Sequence, residues 1–313
     1  MNRAFIFPGQ GSQIIGMGKD FYNNFSSAKE TFLEVDDALQ FKLSNIIFNG
    51  SDEELTLTTN AQPALMTVSM AIINTLRSET GQAIDNLCNI VAGHSLGEYS
   101  ALCAVGTLSL RDAATLLQVR SRSMQEACAY GIGAMAACLA IDIKMLEKII
   151  EDNIISGVCQ VANDNMIGQI VISGHESNIN TMIKILKAAG YRAIKLKVSA
   201  PFHSELMRPA EIKMIEALDK VTINIPQVPI ISNVTAAQAT APIIIKDNLI
   251  NQICGRVRWR ETMDNLSDLE TNEIIEIGSG KVLTNMLKKI DSNVKATTIN
   301  NIEELKGFLH QNF

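Results

Sequence analysis

Apolar positions in this chain keep different rhythms in different stretches, and the changes of rhythm mark its elements. The first stretch, "RAFIFPGQGSQ", is a short apolar strand broken by Pro8 and Gly9. From about Ser27 to Leu39 the apolar residues recur at helical spacing. "NAQPALMTVSMAIINTL" is apolar nearly all round, with Asn60 as N-cap and Pro63 in the first turn, which predicts a buried helix. "LCNIVAG" (87–93) is a continuous apolar run ending in glycine, the pattern of a central parallel strand. A helix is then expected from near Ser95, and another from roughly Leu110 to Ala127.

Between 131 and 198 the order becomes strand, helix, strand, strand, helix, strand. "GAMAACLAI", "GVCQVAN", "GQIVISG" and "RAIKLKV" are the strands, and "IKMLEKIIEDN" and "NINTMIKILKAAG" the helices. That order is the split βαβ, or ferredoxin-like, arrangement. Beyond it come a strand at "VPIISNV", helices near 243–254 and 259–270, a strand at "EIIEIG", a helix from Lys281 and a strand at "KATTIN". The expected architecture is α/β: a parallel-sheet core with α/β-hydrolase-like layering, built from residues 1–130 and 199–313, carrying an inserted ferredoxin-like α+β subdomain at 131–198.

Composition narrows the function classes. Apolar residues make up 47% of the 313 and charged residues 19%, enough for a large core and too few charges for disorder. The formal net charge of −6, with no basic block, argues against nucleic acid as partner. An acidic ligand would need a cation of its own in the site. The six cysteines show no CxxC or CxxH spacing, so neither a zinc site nor a disulfide framework is expected, and a reducing, cytoplasmic setting fits them. The N-terminal apolar run is too short for a signal peptide, and "AMAACLAI" falls far below the roughly 20 residues of a membrane span.

The chemistry centres on "VAGHSLGEYS". Gly-His-Ser-Leu-Gly matches G-x-S-x-G, a serine on a sharp strand-to-helix turn. The helix start offers free N–H groups, and that of Leu96 would face an oxyanion formed when Ser95 attacks a carbonyl. The plain alternative is that Ser95 only caps the helix. Of the four histidines, His94 adjoins the serine but diverges from it, His175 reads as a turn residue and His310 lies in the C-terminal tail. His203, in "SAPFHSELM", sits where the chain leaves the inserted unit, and junction loops line clefts. It is the favoured base for Ser95. An α/β-hydrolase would place its histidine near the C-terminus, after the acid. Here much core-like chain follows His203 and no acid stands out as a third member, so a backbone carbonyl could fix the imidazole instead.

"FPGQGSQ" could supply a second oxyanion N–H, with Gln10 the candidate, or be a plain connection. Its glycine spacing is not a dinucleotide fingerprint, and "GSGKVLT" is not a P-loop. Arg120 shares a helix face with Leu116 and Leu117 and should point inward while Arg122 points out. A buried arginine requires an anion, either a structural carboxylate or the carboxylate of a substrate.

Together with "TNAQPAL", "QVRSRSMQE", "NDNMIGQIVISG", "SNV" and "EIGSGKVLTNM", these motifs resemble, over essentially the whole chain, the malonyl-CoA:acyl carrier protein transacylases of fatty-acid synthesis. The resemblance implies that Ser95 takes the malonyl group as an ester and that His203 is base and then acid. It gives Arg120 the malonyl carboxylate, and Gln10 and Leu96 the oxyanion. Gln252 would lend a carbonyl to orient the histidine, His94 would shape the elbow, and Asn163 would line the cleft. Phe202 would crowd a 2-methyl branch. "NDNMIGQ" has isoleucine, and "EIGSGK" serine, where the family commonly has proline; both changes fall in turns.

The implied reaction is ping-pong transfer from malonyl-CoA to the phosphopantetheine thiol of acyl carrier protein, these being substrates, with no cofactor, metal, nucleic acid or membrane and a monomeric enzyme. Carrier protein is acidic, so "CGRVRWR" and "MLKKI" are candidate docking patches. A serine thioesterase or esterase with the same elbow, and a non-catalytic carrier-binding module, are the competing readings.

Overall fold

The structure is a computed structural model that describes residues 2–129, 131–269, 271–290 and 295–313. Glu270, the last residue of one expected helix, lies outside the described residues, as do Met1, Tyr130 and 291–294 of the expected core segments.

Ten strands are found among the described residues: β1 (Arg3–Phe7), β2 (Ile90–Gly93), β3 (Gly133–Leu139), β4 (Cys159–Met166), β5 (Gln169–His175), β6 (Arg192–Lys195), β7 (Ile230–Ile231), β8 (Gln238–Ala239), β9 (Glu273–Ile277) and β10 (Lys295–Ile299). They form two sheets. The larger runs β10-β9-β1-β2-β7-β8 and is parallel except for the β7–β8 pair at one edge. The smaller, β4-β5-β3-β6, is antiparallel throughout. Its first strand in sequence lies between its third and fourth, the order of a ferredoxin-like unit.

Both faces of the large sheet are covered at its centre, which is why the central strands β1 and β2 read as nearly continuous apolar runs. Phe5 and Phe7 enter the core with the helices Ser26–Leu39, Thr58–Thr80 and Leu110–Glu126, while Ala4 and Ile6 face Trp259, Met263, Leu283 and Leu287. The antiparallel sheet has its own core, with Ala136, Cys138, Ile172, Met182 and Leu186 fully buried. Backbone and side-chain ties anchor β4 of the smaller sheet to the segment that follows the helix Pro242–Gln252. Val257 donates to Ala162 and accepts from Asp164, at 2.8 and 2.9 Å, and Arg260 pairs with the buried Asp164 at 2.9 Å.

Some local expectations shift. The helix expected from Asn60 begins at Thr58, because the Leu57 carbonyl accepts from both Asn60 and Ala61 at 2.8 Å; the Asn60 side chain instead donates to the Glu54 carbonyl. The helix after Ser95 starts at Gly97. Arg208–Leu218 and Ile302–Asn312 are helices that the periodicity left unassigned, and the C-terminal stretch that holds His310 is the second of these. None of the described helices is long and apolar enough to cross a membrane.

Candidate active site

Parallel strands all point their C-terminal ends the same way, and the loops leaving those ends build the site. β1 runs into Pro8-Gly9-Gln10, and its neighbour β2 runs into His94-Ser95. The turn after β2 is as tight as a chain can make it. A Cβ on Gly93 would meet the Gly97 carbonyl oxygen at 1.9 Å, and one on Gly97 would meet the Phe7 carbonyl oxygen at 2.3 Å. Both glycines are therefore required by contact rather than by dihedral preference. Ser95 itself carries φ 54, a left-handed conformation costing of order 1–3 kcal/mol for a residue with a side chain.

That strained turn aims the hydroxyl across a 310 Å³ cleft between the two sheets. Ser95 Oγ lies 2.8 Å from His203 Nε2, and His203 Nδ1 lies 2.8 Å from the backbone carbonyl of Gln252. Nδ1 therefore carries the proton, and Nε2 is left as the acceptor for the hydroxyl. Ser95 does not cap its helix: Leu96 is the N-cap, with no side-chain bond. Burial first, and then the Arg120 charge, push the His203 pKa down to about 3, so the imidazole is neutral at physiological pH and its Nε2 lone pair is open to the hydroxyl proton.

Arg120 is 1% exposed and points inward, whereas Arg122 is exposed. Its guanidinium donates to Gln62 Oε1 and Gln252 Oε1 at 2.8 Å and to Ser95 Oγ at 3.1 Å. All three acceptors are neutral. Its Nε is buried with no partner, and no carboxylate of the described residues pairs with it. The Tyr99 ring, with its centroid 5.7 Å from the guanidinium carbon, gives partial compensation. Burial lowers this arginine's pKa from its ordinary value. What remains is a desolvated cation beside Ser95 Oγ, an arrangement that suits a small anion.

Gln10, Leu96, His94, Asn163 and Phe202 line the same cleft as Ser95, His203 and Arg120. The backbone N–H groups of Gln10 and Leu96 find no acceptor among the described residues. Gln252 lies behind the cleft, its carbonyl left free because the helix Pro242–Gln252 ends there. His94 turns away from Ser95: its Nε2 meets Asn165 Oδ1 at 2.9 Å, its ring sits edge-on to Trp259, and desolvation lowers its pKa. Met124, Met135, Val171 and Leu196 complete an apolar wall. The other two histidines are elsewhere. His175 precedes the helix Glu176–Ala188 and accepts from Val158 N, and His310 is exposed.

Four polar residues at the site had no role in the sequence reading. Gln62 holds Arg120 and Asn165 holds His94; Asn233 and Glu98 lie beneath the elbow. All four stand inside stretches quoted for their patterns, but nothing local to them signals a partner far along the chain. Burial raises the Glu98 pKa to about 7. The expected docking patch "CGRVRWR" is neutralised in the fold: Arg256 pairs with Glu147, Arg258 with Glu261, and Arg260 with Asp164 and Asp264. Lys288 and Lys289 remain exposed at the end of the helix Val282–Ile290, whose residues Val282, Leu283 and Met286 line the cleft.

Residues 4–310 match the acyl transferase domain family. The chain is 45% identical over 305 residues to the malonyl CoA-acyl carrier protein transacylase of Bacillus subtilis strain 168, covering 97% of this chain and 95% of that one. It resembles the crystal structure of an acyl-carrier-protein S-malonyltransferase from Bartonella henselae, with TM-score 0.97, 50% identity and coverage of 100% and 99% of the two chains. It is also similar, at TM-score 0.94 and 34% identity over 99% of this chain and 100% of the other, to a malonyl-transacylase solved in complex with its type II PKS acyl-carrier protein.

Proposed function

The chain belongs to the acyl transferase domain family, and from that premise we propose that it moves the malonyl group from malonyl-CoA to the phosphopantetheine thiol of acyl carrier protein. Ser95 Oγ attacks the thioester carbonyl carbon while His203 Nε2 takes its proton. The oxyanion is held by the N–H groups of Leu96 and Gln10. The C–S bond breaks, His203 returns the proton to the departing coenzyme A thiol, and malonyl remains on Ser95 as an ester. The carrier thiol then enters, gives its proton to His203 and attacks the ester; the proton finally returns to Ser95. Every proton passes through one imidazole, so the cycle as written closes without a cofactor.

The observation that carries this reading is Arg120, buried beside the nucleophile and without a carboxylate partner among the described residues. A malonyl ester on Ser95 places its free carboxylate one methylene from the reacting carbonyl, within reach of that guanidinium. An acetyl or simple fatty acyl group would leave the cation unmatched. Phe202, buried at the cleft wall, limits branching at the intervening carbon. His94 and Asn163 shape the wall, and the Gln252 carbonyl orients His203.

Acyl carrier protein is acidic, and the exposed Lys288 and Lys289, in the last turn of the helix whose first turns line the cleft, are charges that suit it. In the same reading residues 1–130 and 199–313 form the catalytic core and 131–198 a subdomain that closes one wall, supported by the separate apolar cluster there. The enzyme acts as a monomer in the cytoplasm, where six free cysteines, four of them buried, are at home.

The test is intact-mass spectrometry after incubation with malonyl-CoA, followed by addition of holo carrier protein. A malonyl adduct should appear on wild type, be absent from Ser95→Ala and pass to the carrier. An adduct persisting in Ser95→Ala sinks the nucleophile, and release to water in preference to the carrier thiol favours a thioesterase.

A further inference from the structure

The peptide planes on either side of Ser95 are each gripped by a side-chain amide. Ser95 N–H donates to Asn233 Oδ1 at 2.7 Å, and the same amide donates from Nδ2 to the Gly93 carbonyl at 2.7 Å. Gln252 Nε2 donates to the Ser95 carbonyl at 3.0 Å. One carboxylate oxygen, Glu98 Oε2, accepts from Gln252 Nε2 at 2.6 Å and from the Asn233 backbone N–H at 3.2 Å. The amide orientations are forced: only an oxygen can meet Ser95 N–H, and only an NH2 can meet the Gly93 carbonyl. Asn233 and Glu98 are both buried, at 0% and 2% exposure.

We propose that Asn233 is the positioning residue that holds Ser95 in its left-handed conformation and fixes which backbone N–H groups reach the cleft, with Glu98 aligning it and Gln252. The inference rests on the reading of Ser95 as nucleophile. A trans peptide is planar, with its C=O and N–H pointing opposite ways. Drawing the Ser95 carbonyl toward Gln252 turns the Leu96 N–H toward the cleft. Binding the Ser95 N–H to Asn233 removes that group from the cleft. The strain at Ser95 is held by two bonds that a side chain 138 positions away supplies, which makes Asn233 the clasp of the elbow. It touches neither Ser95 Oγ nor the acyl site, so its effect should fall on reactivity and not on substrate affinity.

The experiment compares Asn233→Ala and Asn233→Asp with wild type. Three readouts are taken on each: the labelling rate with a fluorophosphonate probe, kcat and KM for malonyl transfer, and the thermal midpoint. A misplaced nucleophile loses about 10²-fold in rate. Asn233→Ala should lose that much in both labelling and kcat, with KM nearly unchanged and the thermal midpoint lowered by a few degrees, because the Ser95 N–H and the Gly93 carbonyl lose their partner. Asn233→Asp carries a signature that a merely structural role would not. When protonated, the introduced carboxyl has the same acceptor-and-donor pattern as the amide; when ionised, it repels the Gly93 carbonyl and Glu98. Its rate relative to wild type should therefore rise as pH falls.

Wild-type labelling in Asn233→Ala, a loss confined to KM, or a ratio for Asn233→Asp that is flat with pH overturns the proposal. If Asn233→Ala does not fold, Asn233→Asp decides, and if neither folds the residue serves the fold alone and the proposal falls. Failure of the functional reading looks different: wild type would label with the probe yet transfer no malonyl.

Discussion

At the residue scale, Arg120 sets stability against function. A desolvated guanidinium with neutral partners and an unpaired Nε carries a cost that the free protein does not recover. Arg120→Met should hold or raise the thermal midpoint by a few degrees. The same change should cut kcat/KM for malonyl-CoA by at least about 10²-fold, the loss expected when a buried charge pair is broken. Acetyl transfer should hold or rise. Parallel melting curves and two-substrate kinetics check this, and a falling midpoint with equal losses for both acyl groups would make Arg120 structural.

Glu98 and His203 pull stability in opposite directions with pH. His203, folded near 3 against an ordinary 6.5, binds fewer protons when folded, so its contribution is lost as pH falls from about 6.5 toward 3. Glu98, folded near 7 against 4.5, binds more protons when folded, so stability falls as pH rises from 4.5 through 7. Glu98→Gln removes the second effect and leaves the first. Its midpoint relative to wild type should thus be more favourable at pH 8 than at pH 5, as differential scanning at the two pH values would show.

At the element scale, the strand–turn–helix unit tolerates no added atom where it crosses β1. A Cβ at position 97 meets backbone carbonyl oxygens of Phe7 and Pro8, at 2.3 and 2.9 Å, and backbone has little freedom to yield. Gly97→Ala should cost at least about 2 kcal/mol in urea unfolding and lower kcat about 10²-fold through displacement of the Ser95 turn. A stable variant at full rate would show that the helix and β1 can part cheaply.

This unit was also the most legible part of the chain. A continuous apolar run, glycines on both sides of a serine and a following helical pattern are all local signals, and local sterics decide them. Arg208–Leu218 went unread because its apolar face is narrow, with Ala210, Met214 and Leu218 among charged neighbours. The partners of the elbow were invisible for another reason. Asn233 and Gln252 lie 138 and 157 positions from Ser95, and no periodicity encodes which polar residue the topology will bring beneath a turn. The family resemblance reached the carbonyl of Gln252 and not its amide.

At the scale of the whole molecule, the cleft exists because one sheet carries Ser95 and the other closes the wall. Asp164, 1% exposed on β4, meets Arg260 on the core, and burial raises its pKa against that pairing. Arg260→Ala leaves the carboxylate buried and alone, and should destabilise by about 3 kcal/mol. Hydrogen exchange should quicken first along β4 and β5, and KM for malonyl-CoA should rise, because Asn163 and Asn165 sit on either side of that anchor. Exchange that quickens uniformly instead would mean the two sheets open as one body.

The imidazole takes its bearing from a main-chain oxygen at the end of the helix Pro242–Gln252, where a Ser-His-Asp centre would use an aspartate. That oxygen persists whatever residue occupies position 252. A substitution library will therefore report on the amide and never on the oxygen, and drift at this site can alter the clasp without misdirecting the base. Only an edit to the chain itself, an ester in place of the amide or a shift in where the helix stops, reaches the atom that aims His203.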